Sequence, residues 1–162
     1  MNKKYDKEKV KRVVSFVLEE YDEALNVYCE ENNHNNILED IDSMEDDKIE
    51  KVLEYCMHDF YLDMKICDCG VNEDTHNFMR LVLDAKTSNL DEWDSRDKKM
   101  NSIFGIEPST NKIYNGMMQF VLHALELFGF LEHGVGVSGS WRTKKGNAFL
   151  ELLELVTENE SK

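Results

Sequence analysis

Very few residues interrupt this chain of 162 amino acids, which contains one proline, Pro108, and eight glycines. Proline and glycine are the residues that most often end helices and strands, so a chain with so few of them can sustain long helices. Apolar residues recur at spacings of three and four over residues 6–32, 46–65 and 109–128, which is the pattern of an amphipathic helix. The sequence therefore predicts a mainly α fold, organised as a helical bundle.

The longest helix predicted in the N-terminal half runs from Asp6 to Asn32. Its apolar stripe has nearly heptad spacing and consists of Val10, Val14, Val17, Tyr21, Leu25 and Tyr28. A seam of this kind either packs on its own domain or pairs with a second copy, so a homodimer through helix 6–32 is one possibility. The polar segment Asn32–Met44 is predicted to be a loop.

Two more helices are predicted in this half. One covers about residues 46–65, and the other begins at Asn72 or Asp74, which can cap it, and ends near Ala85. The inward residues of the first are predicted to be Ile49, Val52, Leu53, Cys56, Phe60 and Met64, and those of the second Phe78, Leu81, Val82 and Ala85.

The C-terminal half alternates helices with glycines. A short helix at 98–104 should close at Gly105, and a helix capped by Ser109 or Thr110 should end at Gly129 with a positive φ. The strand 130–133 should then pair antiparallel with residues around Trp141, and Gly146 should open a last helix. The buried face of the long helix is predicted to be Ile113, Tyr114, Met117, Phe120, Val121, Ala124, Leu125 and Phe128, and that of the last helix Phe149, Leu152, Leu153 and Val156.

Three short strings in this half, in the same order, resemble those of winged helix-turn-helix regulators. They are Asn101-Ser-Ile-Phe-Gly-Ile-Glu-Pro-Ser-Thr110, Leu122-His-Ala-Leu-Glu-Leu-Phe-Gly-Phe-Leu131 and Thr143-Lys-Lys-Gly146. Arg142 stands where those families usually carry an apolar residue. The resemblance implies a winged-helix-like region over residues 96–162, preceded by an acidic helical region over 1–95, the two forming one compact unit.

DNA binding is the function that this resemblance implies. Asparagine and glutamine can read adenine edges, and lysine and arginine can anchor phosphates. The residues expected to do so are Asn111, Lys112, Asn115, Gln119, Arg142, Lys144 and Lys145.

The net charge of −14 favours a different function. Residues 19–63 contain 16 acidic residues and only two basic ones, Lys48 and Lys51. An ordinary solvated helix face is one explanation, and a docking surface for a basic partner is the other. In the second case Glu19, Glu23, Glu30, Asp46, Asp47 and Glu50 are the expected contact residues. The leading hypothesis is therefore a non-enzymatic acidic binding protein of the nucleic-acid-mimic or inhibitor type, as in phage anti-defence and immunity proteins. The alternative is a winged-helix DNA-binding transcription regulator.

Other chemistry has little support in the sequence. There is no glycine-rich phosphate loop and no Gly-x-Ser-x-Gly, so an enzyme is not expected. Zinc-ligand types occur at Cys56, His58, Cys67, Cys69 and His76, but without the Cys-x-x-Cys spacing of a zinc knuckle. We therefore expect reduced cysteines, no metal and no cofactor. Apolar runs are too short for a membrane helix and no secretory signal is evident, so a cytoplasmic protein is expected.

Overall fold

The computed structural model describes residues 5–66, 71–86, 99–105, 112–133 and 140–157. Within these ranges the protein is mainly α with one small antiparallel hairpin, as predicted. The helices are α1 (Lys7–Glu20), α2 (Ala24–Glu31), α3 (Ile37–Asp40), α4 (Asp46–Met64), α5 (Glu73–Ala85), α6 (residues 99–103), α7 (Lys112–Leu127) and α8 (Lys144–Thr157), and the strands are β1 (Leu131–Glu132) and β2 (Trp141–Arg142). None of the described helices is both long and apolar enough to span a bilayer.

The chain divides into two compact units. The N-terminal unit comprises Met1–His76 together with Glu151–Lys162, and the central unit comprises Asn77–Leu150. Helices α5 and α8 each contribute residues to both units. The region boundary predicted at residues 95–96 lies outside the described residues.

The core of the N-terminal unit forms where α1 and α2 pack on α4. All six residues that the sequence placed on the inward face of α4 are buried. The ring of Phe60 stacks on Phe16 with centroids 5.9 Å apart and receives the edge of Tyr21 at 5.3 Å. Stacked and edge-to-face rings add to the stabilisation that burial of their area already provides.

The predicted single helix over residues 6–32 is wrong, because the chain breaks between α1 and α2. Tyr21 leaves the helix with extended backbone angles, and α2 begins three residues later. The buried carboxylate of Asp59 on α4 accepts hydrogen bonds from the amides of Ala24 at 2.7 Å and Leu25 at 2.9 Å. These bonds satisfy the first amides of α2, which a helix start leaves without partners. The break therefore depends on a residue from a distant element.

The apolar stripe that could pair with a second copy is largely buried within the chain. Val10, Val14 and Val17 are fully buried within the chain, and Leu25 and Tyr28 are buried as well. The stripe packs on its own unit, which is the first of the two arrangements that its spacing allows.

The predicted loop at residues 32–44 contains the single helical turn α3. Ile37 and Ile41, four residues apart, are both buried, and Met44 follows them into the core. Nδ1 of His34 lies 2.7 Å from a carboxylate oxygen of Asp40. The segment was predicted to be a loop because most of its residues are polar, although these three apolar residues pack into the core.

Helix α5 begins as predicted and turns a partly different face inward. Asn72 caps it by accepting a hydrogen bond from the amide of Thr75 at 3.0 Å. Val82 and Ala85 are buried as expected, but Phe78 and Leu81 are exposed and Leu83 is buried in their place. That part of the predicted face is wrong.

Around α6 the predictions hold for the described residues. Met100 and Phe104 are buried, Ile103 is half-buried, and Gly105 has a φ of +60°. The predicted caps Ser109 and Thr110 lie outside the described residues.

The end of α7 confirms the prediction made for Gly129. Its φ is +76°, its amide donates to the carbonyl of Glu126, and the next amide, that of Phe130, donates to the carbonyl of Leu125. This pair of bonds is the Schellman arrangement, which closes a helix with a glycine in the left-handed region. The chain then enters the hairpin, where Leu131 pairs with Arg142 and Glu132 with Trp141, also as predicted.

The buried face predicted for α7 is wrong at Met117 and Phe120. Met117 and Phe120 are 54% and 72% exposed, whereas Leu122, which was not predicted to be inward, is fully buried. Leu125 is buried as expected; Val121, Ala124 and Phe128 are half-buried, and the side chains of Ile113 and Tyr114 lie outside the description. Because α7 is apolar on more than one face, its spacing alone does not identify the face that packs.

Helix α8 begins at Lys144, two residues before the predicted opening at Gly146. Of its predicted inward residues, Phe149, Leu152 and Leu153 are fully buried and Val156 is half-buried. The difference at the start arises from Thr143, because its hydroxyl accepts a hydrogen bond from the amide of Gly146 in the first turn of α8.

Candidate functional site

Charge separates the two units. The N-terminal unit contains 25 acidic and 10 basic residues, a formal charge of −15, whereas the central unit contains 8 and 9, a formal charge of +1. Within residues 19–63, thirteen of the sixteen acidic side chains are exposed. Asp40 and Asp46 are half-buried and Asp59 is buried. We call these thirteen exposed residues the acidic surface: Glu19, Glu20, Asp22, Glu23, Glu30, Glu31, Glu39, Asp42, Glu45, Asp47, Glu50, Glu54 and Asp63.

Three basic residues of α1 form ion pairs with described acidic residues. Lys9 and Arg12 form ion pairs at 2.8 Å with Glu154 and Glu151 of α8. Lys11 pairs with Asp42 at 2.6 Å, and this hydrogen bond raises the pKa of Lys11. Lys7 donates to the backbone carbonyls of residues 42 and 44. Among these described ion pairs, the one between Lys11 and Asp42 involves a member of the acidic surface.

Five of the six acids predicted to contact a partner, Glu19, Glu23, Glu30, Asp47 and Glu50, are exposed, and Asp46 is half-buried. Glu19 lies in the last turn of α1, Glu23 immediately precedes α2, and Glu30 lies in its last turn. The other three lie in the first two turns of α4. All six belong to the N-terminal unit.

The structure describes the side chains of four of the residues predicted to contact DNA, namely Gln119, Arg142, Lys144 and Lys145. Asn111 lies outside the described residues, as do the side chains of Lys112 and Asn115, while Gln119 is half-buried and Lys144 is exposed. Arg142 donates to the carbonyl of Leu83 at 2.6 Å and to the side chain of Asn147 at 2.7 Å. Arg142 thereby hydrogen-bonds the last turn of α5, which is a position that favours a cation.

The Thr143-Lys-Lys-Gly146 string forms a joint between the hairpin and α8. The hydroxyl of Thr143 donates to the Gly129 carbonyl at 2.6 Å and accepts from the Gly146 amide at 3.0 Å. Nζ of Lys145 donates to the Phe128 carbonyl at 2.5 Å and lies 4.9 Å from the ring centroid of Phe130. A Cβ at Gly146 would meet the Phe130 oxygen at 2.0 Å, so only glycine fits there. The contacts of Thr143, Lys145 and Gly146 hold the joint together.

Trp141 of β2 is half-buried. Its indole nitrogen donates to the Glu132 carboxylate across the hairpin at 2.6 Å.

One side of α7 is apolar and exposed. Met117, Phe120 and Leu127 are 54%, 72% and 86% exposed. From Ile113 to Leu125 the helix sequence contains no acidic and no lysine or arginine residue. The helix that the resemblance assigns to DNA therefore has an exposed apolar side at Met117, Phe120 and Leu127.

A pocket of about 580 Å³ in the N-terminal unit was not predicted. Tyr5, His76 and Val156 line it from other elements, and its remaining lining residues belong to α4: Glu50, Leu53, Glu54, Tyr55, Met57, His58 and Tyr61. Tyr5, Leu53, Met57 and Tyr61 are buried, whereas Glu50, Glu54 and His58 are exposed. The Tyr61 hydroxyl is hydrogen-bonded to Nε2 of His76. The sequence signal for this pocket was a second set of α4 residues spaced by three and four, next to the set that faces the core.

The zinc-ligand types do not come together in the part of the chain that the structure describes, where no group of three such residues is close enough to hold a metal. Cys67 and Cys69 lie outside the described residues. Cys56 is in the core, and its burial raises the pKa of its thiol. His58 and His76 both line the pocket.

Comparison of the chain with protein-family models, with curated proteins and with solved structures gave no match.

Proposed function

We propose that this protein is a non-enzymatic binding protein that docks on a basic protein partner through the acidic surface. The observation that carries the proposal is the charge separation, −15 on the N-terminal unit against +1 on the central unit, with thirteen acids exposed between residues 19 and 63. Complementary charge speeds encounter and excludes wrong partners. The partner is a protein with a basic, nucleic-acid-binding groove, and the acidic surface occupies that groove as a nucleic-acid mimic does.

The winged-helix-like arrangement proposed for residues 98–157 acts in this view as a scaffold. Its support is the order of elements: a short helix closed by Gly105, a long helix closed by Gly129, a hairpin, and a final helix joined through Thr143 and Gly146.

The alternative, a DNA-binding transcription regulator, has weaker support. Arg142 and Lys145 already donate to backbone carbonyls of their own unit, and the exposed side of α7 is apolar at Met117 and Phe120. Phosphate contacts supply most of the affinity for DNA, and they need accessible cations. We therefore favour a protein partner.

The test compares two triple charge reversals of equal net charge. Immobilised full-length protein should retain from a cell extract a basic protein that competitor DNA displaces. Replacing Glu23, Asp47 and Glu50 by lysine should weaken that retention at least about tenfold, because like charges across an interface cost several kcal/mol. The matched control replaces Glu8, Glu73 and Asp84, which are exposed acids outside residues 19–63, by lysine. It should keep most of the binding.

Equal losses in the two triple variants would contradict the proposal, because net charge alone would then explain binding. A salt-series titration with duplex DNA tests the regulator. Binding that weakens as salt rises, and that is lost in Lys112→Glu and Lys144→Glu but kept in the acidic reversal, would establish the alternative instead.

A further inference from the structure

The pocket of the N-terminal unit has an apolar floor and an acidic rim. Leu53, Met57 and Tyr61 of α4 are buried at the floor together with Tyr5, and Glu50, Glu54 and His58 rise to the exposed edge. The volume of about 580 Å³ lies in the range of sites that hold a small organic molecule or several side chains. Such a space is large enough for one long side chain with the residues that flank it.

The lining selects for a cation. Three tyrosines and a methionine provide aromatic faces and a polarisable sulfur, and two carboxylates stand at the edge, whereas the lining residues that the structure describes include no lysine or arginine. Cations bind over the faces of aromatic rings, most strongly where water is excluded. Glu50 and Glu54 would repel an anion, and an apolar ligand would desolvate them without replacing their hydrogen bonds.

Among cations, a guanidinium group fits this lining best. It is planar, stacks on aromatic rings, and presents a fork of donors that matches carboxylate oxygens. Glu50 and Glu54 are four residues apart on one helix face, so their side chains are neighbours above the floor. A guanidinium between them can donate to both carboxylates while its plane lies against a tyrosine ring.

The pocket is continuous with the acidic surface. Glu50 and Glu54 belong to both, and Asp46 and Asp47 precede them on α4. We propose that this pocket receives an arginine side chain of the basic partner, whose flanking residues then lie along the acidic surface. This inference rests on the proposed function and names the position at which the partner is anchored.

The experiment titrates full-length, isotope-labelled protein with acetylated and amidated triarginine, followed by nuclear magnetic resonance. The comparison peptide contains citrulline, which keeps the shape of arginine and lacks its charge. Triarginine should shift the resonances of Tyr55, His58 and His76, and the citrulline peptide should bind at least about tenfold more weakly, since ion pairing and cation–π attraction are both lost.

Two variants with the same change in net charge separate the pocket from general attraction. Glu54→Gln, at the pocket rim, should weaken triarginine binding about fivefold, a size that fits one charge-assisted contact. Glu39→Gln, an exposed acid on α3 that does not line the pocket, should change it less than about twofold. Tyr55→Leu, with its thermal unfolding measured as a check on folding, should weaken it by an amount similar to Glu54→Gln.

Equal effects of Glu54→Gln and Glu39→Gln, or shifts confined to residues outside the pocket, would overturn the arginine pocket. Retention of the basic protein from the cell extract distinguishes a failure of the pocket proposal from a failure of the proposed function. If a variant carrying Glu54→Gln and Tyr55→Leu retains the partner as well as the wild type, while the Glu23, Asp47 and Glu50 reversal does not, the pocket proposal fails and the acidic surface stands.

Discussion

The two units of this protein use their surfaces in opposite ways. The N-terminal unit buries the apolar face of α4 completely and carries a formal charge of −15, whereas the central unit is nearly neutral and leaves Phe120 and Leu127 of α7 mostly exposed. The exposed apolar residues of the N-terminal unit, Val27, Leu62 and Ile66, are exposed to a smaller degree. The N-terminal unit therefore presents mainly charge to solvent, whereas the central unit also presents large apolar side chains. Substitutions should affect the two units by different mechanisms.

The largest effect is expected at the joint of the central unit. Gly146→Ala places a methyl group 2.0 Å from the Phe130 carbonyl oxygen, so α8 and the hairpin have to separate. We expect a loss of about 3 kcal/mol or more in the free energy of unfolding, measured by urea titration of the full chain. The control is Gly116→Ala on α7, where an added Cβ meets nothing within 4 Å. It should stabilise the protein by about 0.5–1 kcal/mol, the difference in helix propensity. Similar values for both would show that the joint is not close-packed.

A second comparison tests the exposed side of α7. Leu122→Ser should cost about 3 kcal/mol, because it removes a fully buried side chain and leaves a hydroxyl in its place. Phe120→Ser, two residues earlier and 72% exposed, should change stability by less than about 0.5 kcal/mol. Both are measured by thermal and urea unfolding. A large cost at Phe120 would mean that this side chain is packed, and the contrast between the units would then weaken.

The corresponding test in the N-terminal unit concerns Asp59. Asp59→Ala should destabilise the protein by about 2 kcal/mol, because two backbone amides at the start of α2 lose their acceptor. Glu54→Ala, five residues earlier on α4 and exposed, makes the same change in net charge and should stay within about 0.5 kcal/mol of the wild type. If the two variants unfold alike, relief of acidic repulsion outweighs the cap, and charge rather than hydrogen bonding governs this unit.

The accuracy of the sequence predictions varied with how local the deciding interaction is. The Gly129 cap and the inward face of α4 depend on neighbouring residues in the same element, and both were predicted correctly. The break at Tyr21 depends on Asp59, which lies 35 residues beyond Ala24, and no nearby proline or glycine signals it. The residues around Tyr21 therefore contain no pattern from which this distant hydrogen-bond acceptor could be predicted.

Two other features escaped prediction for a related reason. On α7 the buried residue Leu122 and the exposed residue Phe120 are both apolar, so periodicity does not identify the inward side. To predict the pocket from the sequence, one would have to know that Tyr5 and His76 lie against a second face of α4. Polar residues on that face, such as Glu54 and His58, were consistent with simple solvent exposure until those two residues were placed opposite them.

The cap that Asp59 supplies to α2 also constrains the order in which the chain can fold. An eight-residue helix is too short to be stable alone in water. Its first two amides find their acceptor only after a loop of about 35 residues has closed, and closing that loop costs entropy. We therefore expect α1 and α4 to associate first and α2 to form late. Glu23 and Glu30, which belong to α2 and its start, would then take their places in the acidic surface only in the last stage of folding.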